Sequence, residues 1–293
     1  MLSLASLRYR DIWSEDGGPV AQIQTGLLPI FDRPMTQANV YLRPELIADR
    51  PRHVIYGSAD GTGSSENAAV ARHMAVSEAL ERWAFYATHN SSERARYAFD
   101  HDRTSNGMAA FPGFKWQARR RARFEALERF ALVGWWDGRF PSTVARAPYP
   151  EVGLVRIDHG MEWGEVVLLY HKTAAGFTAY GHAAGSNLAT ATSRAAIELV
   201  RCAYVIAQYR ARGALTPVTD HLEQRCLHYS SPEGHAEFLE RLQTKPDKPQ
   251  SAWRTLFDGE IPGPWSRWAT VWRHCVEMPT YDFLNRRQNF FFW

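Results

Sequence analysis

Cysteine is scarce in this chain, and the few that occur are widely separated. Cys202, Cys226 and Cys275 form no C-x-x-C motif, and their number is odd. A disulfide framework needs paired cysteines and a structural zinc site needs closely spaced ligands, so this distribution argues against both. We therefore expect a protein of a reducing compartment, most simply the cytoplasm.

Long apolar runs and an excess of charge of one sign are also missing. Residues 1–10 contain no apolar segment of the kind that a secretory signal peptide carries. No stretch approaches the roughly 20 apolar residues that a membrane-spanning helix requires. With 34 basic and 31 acidic residues, the formal net charge is only +3, which favours neither nucleic acid nor an anionic membrane as a partner.

What the chain does contain is the composition of a globular protein divided into helices and strands. Its 293 residues are 45% hydrophobic and 22% charged, and this length suggests one large domain or two modest ones. Periodicity predicts helices over about 66–88, 115–135 and 193–210. Alternating or β-branched segments predict strands over 20–25, 53–56, 152–158, 165–171, 177–181 and 268–277.

Two segments rich in small residues precede the first and third predicted helices. We interpret Gly57–Ser65 and Gly181–Asn187 as loops, with Ser64 or Ser65 as the N-cap of the first helix. The apolar chain end at 289–293 is expected to pack against the protein, because its exposure would leave a large apolar patch.

One pentapeptide, Glu-Ala-Leu-Glu-Arg, occurs twice on the predicted helices, at 78–82 and at 125–129. A looser third copy begins at Glu198. Residues three apart on a helix share a face, so Glu78 lies beside Glu81, and Glu125 lies beside Glu128. Each helix therefore offers a narrow acidic stripe on an apolar body.

Two such stripes facing each other would bring four carboxylates together, which is unfavourable without a counter-charge. Mg²⁺ supplies one and prefers a few carboxylates together with substrate phosphates. Arg82, Arg129 and Arg201 can bind phosphate through two parallel hydrogen bonds. The repeat therefore predicts a metal-bound nucleotide. A solvent-exposed role for these helix faces is the alternative, since Glu, Ala, Leu and Arg are strong helix formers.

The standard nucleotide-binding motifs are absent. The segment at Gly57 does not match a Walker P-loop, and Gly61-Thr62-Gly63 lacks the third glycine of a dinucleotide fingerprint. Phosphates would therefore be held by another arrangement. His182, in the second small-residue segment, is a candidate general base, although a lone histidine in a loop is more often incidental.

Taken together, these residues resemble the motifs of the YcaO-domain family over about 55–293. The first motif is matched by Gly61-Thr62-Gly63, Ala68, Ala71, Ser77, Glu78, Glu81 and Arg82. The second is matched by Ser105–Ala110, Glu125, Glu128 and Arg129, and the third by 185–201 with Glu198. The chain departs from the family at Thr62, where the turn usually carries Lys, and at Arg201, where Gln is common.

The resemblance implies an α+β fold with mixed and antiparallel sheets and with helices packed around a central nucleotide site. It implies one compact domain over 1–293, with strands and loops in 1–56 and a variable insertion over 211–265. Its implied cofactors are ATP and Mg²⁺. The implied metal ligands are Glu78, Glu81, Glu125 and Glu128. The implied nucleotide contacts are Gly61, Ser77, Arg82, Asn106 and Arg129, and the implied catalytic residues are Glu198 and Arg201.

The activity that the resemblance implies is ATP-dependent activation of a backbone amide in a ribosomally made peptide. Cyclodehydration to an azoline is the main expectation, with thioamide and amidine formation as alternatives. The expected partners are a precursor peptide, a separate leader-binding or delivery protein, and a second copy of the chain in a homodimer. A catalytically weak scaffold subunit that binds nucleotide or peptide, and an ATPase or kinase outside this family, are the competing hypotheses.

Overall fold

The computed structural model describes residues 4–47, 53–213, 216–285 and 290–291. The chain divides into two compact units. Unit 1 comprises 1–52, 58–126 and 254–277, and unit 2 comprises 53–57, 127–253 and 278–293. Within the described ranges, no helix combines the length and the apolar character needed to cross a membrane. The expected single domain over 1–293 stays a prediction.

Unit 1 is built on two three-stranded antiparallel sheets. The first has the order β1 (Val20–Leu27), β2 (Thr36–Leu42), β3 (Gly61–Ser65). The second has the order β4 (Met108–Phe111), β10 (Thr270–Val276), β9 (Thr255–Glu260). The helices of this unit are α1 (Leu4–Arg8), α2 (Ala68–His89) and the first half of α3 (Lys115–Trp136). Short 3₁₀ turns lie at Ser14–Asp16, Pro44–Leu46, Ser92–Tyr97 and Pro264–Arg267.

Unit 2 is built on one four-stranded antiparallel sheet. Its strands follow chain order: β5 (Ser142–Arg146), β6 (Val152–Ile157), β7 (Glu165–Lys172) and β8 (Thr178–Gly185). Its helices are the second half of α3, α4 (Leu188–Ala211), α5 (His221–Ser230), α6 (Pro232–Gln243) and α7 (Asp282–Asn285). The fold is α+β, as predicted. The stretch 211–265 contains α5, α6 and β9, and its variability stays a prediction.

The two small-residue segments expected to be loops end in strands instead. Gly61 begins β3, and Gly181 lies within β8. A Cβ at Gly61 would lie 2.1 Å from the carbonyl oxygen of Ala75, and one at Gly181 would lie 2.1 Å from the backbone nitrogen of Leu199. Glycine is therefore required because each strand backbone packs directly on the helix that follows it.

Each of those two helices begins at an asparagine. The side chain of Asn67 accepts hydrogen bonds from the backbone N–H groups of Ala69 and Val70, and Asn187 accepts one from Thr190. The expected cap at 64 or 65 is wrong, because both residues belong to β3. Asn67 and Asn187 are 187 − 67 = 120 residues apart, as are Gly61 and Gly181 (181 − 61 = 120). The strand–helix pair β3–α2 is thus repeated as β8–α4.

The segment 53–56, predicted as a strand, forms a bend in unit 2. Its backbone N–H groups at Val54, Ile55 and Tyr56 donate to the carboxylate of Glu223 at 2.9, 2.7 and 3.0 Å. Glu223 lies on α5 and is fully buried. A buried carboxylate needs hydrogen-bond donors. The N–H groups of this segment supply them, so they bond to Glu223 and not to a neighbouring strand.

The core of unit 1 lies along one face of α2. Ala71, Ala75 and Ala79 are fully buried, and their small side chains let β3 approach closely. At the far end of the helix, Trp83 packs edge to face on Trp265, with ring centroids 5.5 Å apart. The amphipathic pattern that predicted this helix therefore identifies its buried face.

The apolar chain end packs within unit 2, as predicted, for the two residues that the structure describes. Phe290 and Phe291 are each 1% exposed. Phe291 stacks on Trp136 with ring centroids 5.3 Å apart and lies edge to face on Tyr180. Residues 289, 292 and 293, which belong to the same prediction, lie outside the described part of the structure.

Replacing Gly61 with alanine tests the contact between β3 and α2. The added methyl group would overlap the carbonyl oxygen of Ala75, so we expect the free energy of unfolding, measured in urea, to fall by about 1–3 kcal/mol. Gly26 in β1 is the matched control, because a Cβ there meets no atom within 4 Å. Gly26→Ala should change stability by no more than about 0.5 kcal/mol, and equal effects at both sites would contradict the packing role.

Candidate functional site

Three carboxylates, Glu78, Glu81 and Glu125, form an acidic cluster in unit 1. Burial, then the negative charges of Glu125 and Glu78, raise the pKa of Glu81 well above its ordinary value. The charge of Arg82 and a hydrogen bond from the backbone of Ala110 oppose this shift without cancelling it. A bound cation would oppose the negative charges of Glu125 and Glu78 and would stabilise the ionised form of Glu81.

Thr62 of β3 orients one member of the acidic cluster. Its backbone N–H and its Oγ1 both donate to Oε2 of Glu78, at 3.1 and 3.2 Å. On the other side, Nη2 of Arg82 lies 3.6 Å from Oε1 of the same carboxylate. The departure from the family pattern at Thr62 thus gives Glu78 two hydrogen-bond donors on one oxygen and a cation beside the other.

Asn106 lies on a turn that reaches α3 beside Glu125. Its side-chain Nδ2 donates to Oδ2 of Asp102 at 3.1 Å. The next residue, Gly107, has a φ of +70°, and a Cβ there would lie 3.1 Å from the Cβ of Ala126. The turn is therefore in close contact with the helix residue that directly follows Glu125.

Ser77 and Gly61, both predicted nucleotide contacts, have packing partners inside unit 1. Ser77 is 5% exposed, and its Oγ donates to the carbonyl of His73 at 2.9 Å and lies 2.8 Å from the hydroxyl of Tyr9. Gly61 is buried against Ala75, as described above. These contacts account for both residue types, and their contact with nucleotide stays a prediction.

In unit 2, Glu128 is held by groups from β8. Nδ1 of His182 lies 2.9 Å from Oε1, and the backbone N–H of Ala184 donates to Oε2 at 3.2 Å. Burial alone would raise the pKa of Glu128, but the charge of Arg129, the hydrogen bond and charge of His182, and the charge of Arg194 lower it to about 2. Glu128 is therefore ionised at neutral pH, and its pKa is shifted in the direction opposite to that of its counterpart Glu81.

The other predicted residues of unit 2 lie on α4. Nη1 of Arg201 donates to Oε1 of Glu198 at 3.0 Å, and the glutamate is half exposed. Arg194, about one turn before Glu198, donates to the carbonyl of Ala184, which lies two residues after His182 on β8. Unit 2 thus carries three arginines near its two glutamates, an arrangement suited to anions.

Sequence reasoning missed several of these groups. Arg194 could have been found from its spacing of four residues before Glu198, which places both on one helix face. His182 was considered only as a loop residue, although it lies on β8. Asp102 could have been found from local sequence, because an aspartate often bonds to the backbone N–H two residues on, as it does here to Thr104. The prediction that all four glutamates bind one metal centre stays a prediction.

Comparison with solved structures identifies the fold. The YcaO protein from Methanopyrus kandleri, bound with AMPPCP and Mg²⁺, superposes with a TM-score of 0.59 at 14% identity, covering 94% of this chain and 89% of that one. The Escherichia coli microcin synthetase complex McbBCD with pro-MccB17 bound matches with a TM-score of 0.57 at 11% identity, covering 87% and 86%. No protein-family sequence model and no curated protein sequence matches the chain. The structural matches confirm the predicted YcaO-type fold.

The raised pKa of Glu81 predicts that this carboxyl destabilises the metal-free protein when it ionises. The stabilisation from its protonated form is complete below the ordinary pKa of glutamate and is lost as the pH rises through the raised folded-state value. We expect Glu81→Gln to raise the thermal unfolding midpoint, measured with a chelator present, and to do so more at about pH 8 than at about pH 5.

Glu128→Gln is the matched comparison, because the pKa of Glu128 is lowered whereas that of Glu81 is raised. The stabilisation from ionised Glu128 is present above the ordinary pKa of glutamate and is lost as the pH falls toward about 2. This substitution should therefore lower the unfolding midpoint at about pH 8. If both variants shifted the unfolding midpoint in the same direction at about pH 8, the opposite pKa shifts of Glu81 and Glu128 would be contradicted.

Proposed function

We propose that this chain, which has the YcaO fold, binds ATP with Mg²⁺ and uses the nucleotide to activate a backbone amide of a ribosomally made peptide. The observation that carries the proposal is the acidic cluster, in which burial and neighbouring carboxylates raise the pKa of Glu81. Support also comes from the nucleotide analogue and Mg²⁺ in the Methanopyrus kandleri structure and from the peptide in the microcin synthetase complex.

The residues of the acidic cluster fit Mg²⁺ by their chemistry. Glu78, Glu81 and Glu125 offer carboxylate oxygens, the ligands that this ion prefers. Burial and the charges of Glu125 and Glu78 raise the pKa of Glu81, and a divalent cation would offset those charges and lower that pKa. Thr62 holds Glu78 in one orientation. Glu128, the fourth proposed ligand, is already ionised, as metal coordination requires.

Arginines and the asparagine turn supply the proposed contacts to nucleotide. Arg82, Arg129 and Arg201 can each present paired N–H donors to phosphate oxygens. Their fixed positive charge stabilises negative charge that develops during phosphoryl transfer. Glu198 is held beside Arg201 and is half exposed, and both remain the proposed catalytic residues.

Bound ATP would supply the phosphoryl group that turns the peptide amide oxygen into a leaving group. We propose an azoline product, formed with net loss of water when a neighbouring Cys, Ser or Thr side chain attacks the same carbon. A precursor peptide, a separate leader-binding protein, a homodimer and a cytoplasmic location belong to the same proposal. The microcin synthetase complex supports partner proteins of this kind, because it contains several chains and a bound pro-peptide.

The test combines the purified chain, ATP, Mg²⁺, the precursor peptide encoded beside its gene and any leader-binding protein encoded there. We expect phosphate release together with a peptide mass that falls by one water per modified residue. Glu78→Gln removes one proposed ligand, so it should raise the Mg²⁺ concentration needed for half-maximal turnover by about tenfold or more.

Glu93→Gln is the matched control, because Glu93 is an exposed glutamate of unit 1 that pairs only with Arg96 among the contacts described. It should leave the Mg²⁺ requirement unchanged. Nucleotide binding without turnover, even with the partner present, would favour a scaffold subunit over an enzyme. An unchanged Mg²⁺ requirement in Glu78→Gln would contradict the metal assignment.

A further inference from the structure

A buried aspartate organises the turn that carries Asn106. Asp102 is 2% exposed. Its Oδ1 accepts hydrogen bonds from the backbone N–H and the Oγ1 of Thr104 at 2.9 and 2.6 Å, and its Oδ2 accepts one from Nδ2 of Asn106 at 3.1 Å. Thr104 Oγ1 in turn accepts the backbone N–H of Asn106 at 3.2 Å. Both carboxylate oxygens of Asp102 are thus used to fix the turn.

A buried arginine holds the same turn from the other side. Arg273 of β10 is fully buried, and its guanidinium carbon lies 3.7 Å from the ring centroid of Phe99. Its Nη1 donates to the carbonyl of Thr104 at 2.9 Å, and its Nη2 donates to the carbonyl of Asp102 at 2.8 Å. Burying a guanidinium is costly, so this cation is held where its hydrogen bonds shape the 102–106 backbone.

The turn lies against the acidic cluster. The carbonyl of Gly107 accepts the backbone N–H of His274 at 2.7 Å, which ties the turn to β10. Gly107 is also in close contact with Ala126, next to Glu125, and the backbone N–H of Ala110 bonds to Glu81. The segment 102–110 therefore connects the hydrogen bonds of Asp102 with the surroundings of Glu125 and Glu81.

We infer that Asp102 and Arg273 are positioning residues that fix Asn106 beside the acidic cluster with its amide oxygen available as a cation ligand. A carboxylate can only accept hydrogen bonds, so the contact with Asp102 determines which amide atom is the nitrogen. The oxygen lies on the other branch of the amide, and an oxygen ligand suits Mg²⁺. This inference rests on the proposed function and changes the predicted role of Asn106 from a phosphate contact to a metal contact.

Exchanging the side chains of Asp102 and Asn106 tests this inference. Asp102→Asn replaces the acceptor Oδ2 with an N–H donor, so the hydrogen bond to Asn106 is lost unless that amide turns over, and the turned amide offers its nitrogen instead of its oxygen to the metal. We expect binding of AMPPCP in the presence of Mg²⁺, measured by titration calorimetry on the full chain, to weaken by about tenfold. The double variant Asp102→Asn, Asn106→Asp restores the hydrogen bond with its direction reversed and still offers an oxygen to the metal, so most of the affinity should return.

The double variant separates the metal role from the phosphate role. If Asn106 contacted phosphate instead, the carboxylate introduced in Asn106→Asp would repel it, and the double variant would bind more weakly than Asp102→Asn alone. That result would overturn the inference. Asp137→Asn is the matched control, because Asp137 is also a buried aspartate and accepts hydrogen bonds from Arg139 at 2.8 Å and from Lys248 at 2.7 Å. It should leave AMPPCP affinity unchanged.

Hydrogen exchange in the nucleotide-free protein gives a readout that does not depend on the proposed function. The amides of 104–107 should exchange faster in Asp102→Asn and in Arg273→Lys, and they should regain protection in the double variant. If the unmodified chain fails to bind AMPPCP with Mg²⁺, the proposed function fails while this measurement still tests the network. Unchanged exchange in both single variants would overturn the positioning role.

Discussion

The site depends on the direct packing of a strand of small residues on the helix that follows it. Gly61 of β3 lies against Ala75 of α2, so closely that no Cβ fits between them. This contact brings the backbone N–H and hydroxyl of Thr62 within hydrogen-bonding distance of Glu78. A larger residue at Gly61 would hold the strand away from the helix, and the carboxylate would lose both donors. Packing in the core therefore orients a functional group at its edge.

The strand–helix pair occurs in both units, but the pKa of the nearby glutamate shifts in opposite directions in the two. In unit 1, burial and the negative charges of Glu125 and Glu78 raise the pKa of Glu81. In unit 2 the corresponding strand presents His182 to Glu128, and nearby arginines lower the pKa of that carboxyl. A cation bound at the acidic cluster would therefore stabilise the folded protein, because any ligand that binds only the folded state raises its stability.

Much of the fold could be predicted from local patterns. The helix predicted over 115–135 is observed as Lys115–Trp136, because its apolar positions recur with helical spacing. The small-residue segments were misinterpreted as loops, since glycine in a strand and glycine in a turn look alike until the neighbouring helix is known. Residues 53–56 have strand-forming side chains, yet Glu223 on a distant helix binds their N–H groups. Arg273 and Asp102 are 171 residues apart and leave no joint pattern.

Local sequence was enough to place Glu78 and Glu81 on one helix face, and Glu125 and Glu128 on another, because residues three apart on a helix are neighbours. It could not determine the state of each carboxyl. Glu81 and Glu128 occupy the same place in their two copies of the repeated pentapeptide, yet their pKa values shift in opposite directions. The difference arises in the folded protein, because a pKa responds to burial and to charges contributed by other elements. These are Glu125 from α3 in one case, and His182 and Arg194 from β8 and α4 in the other.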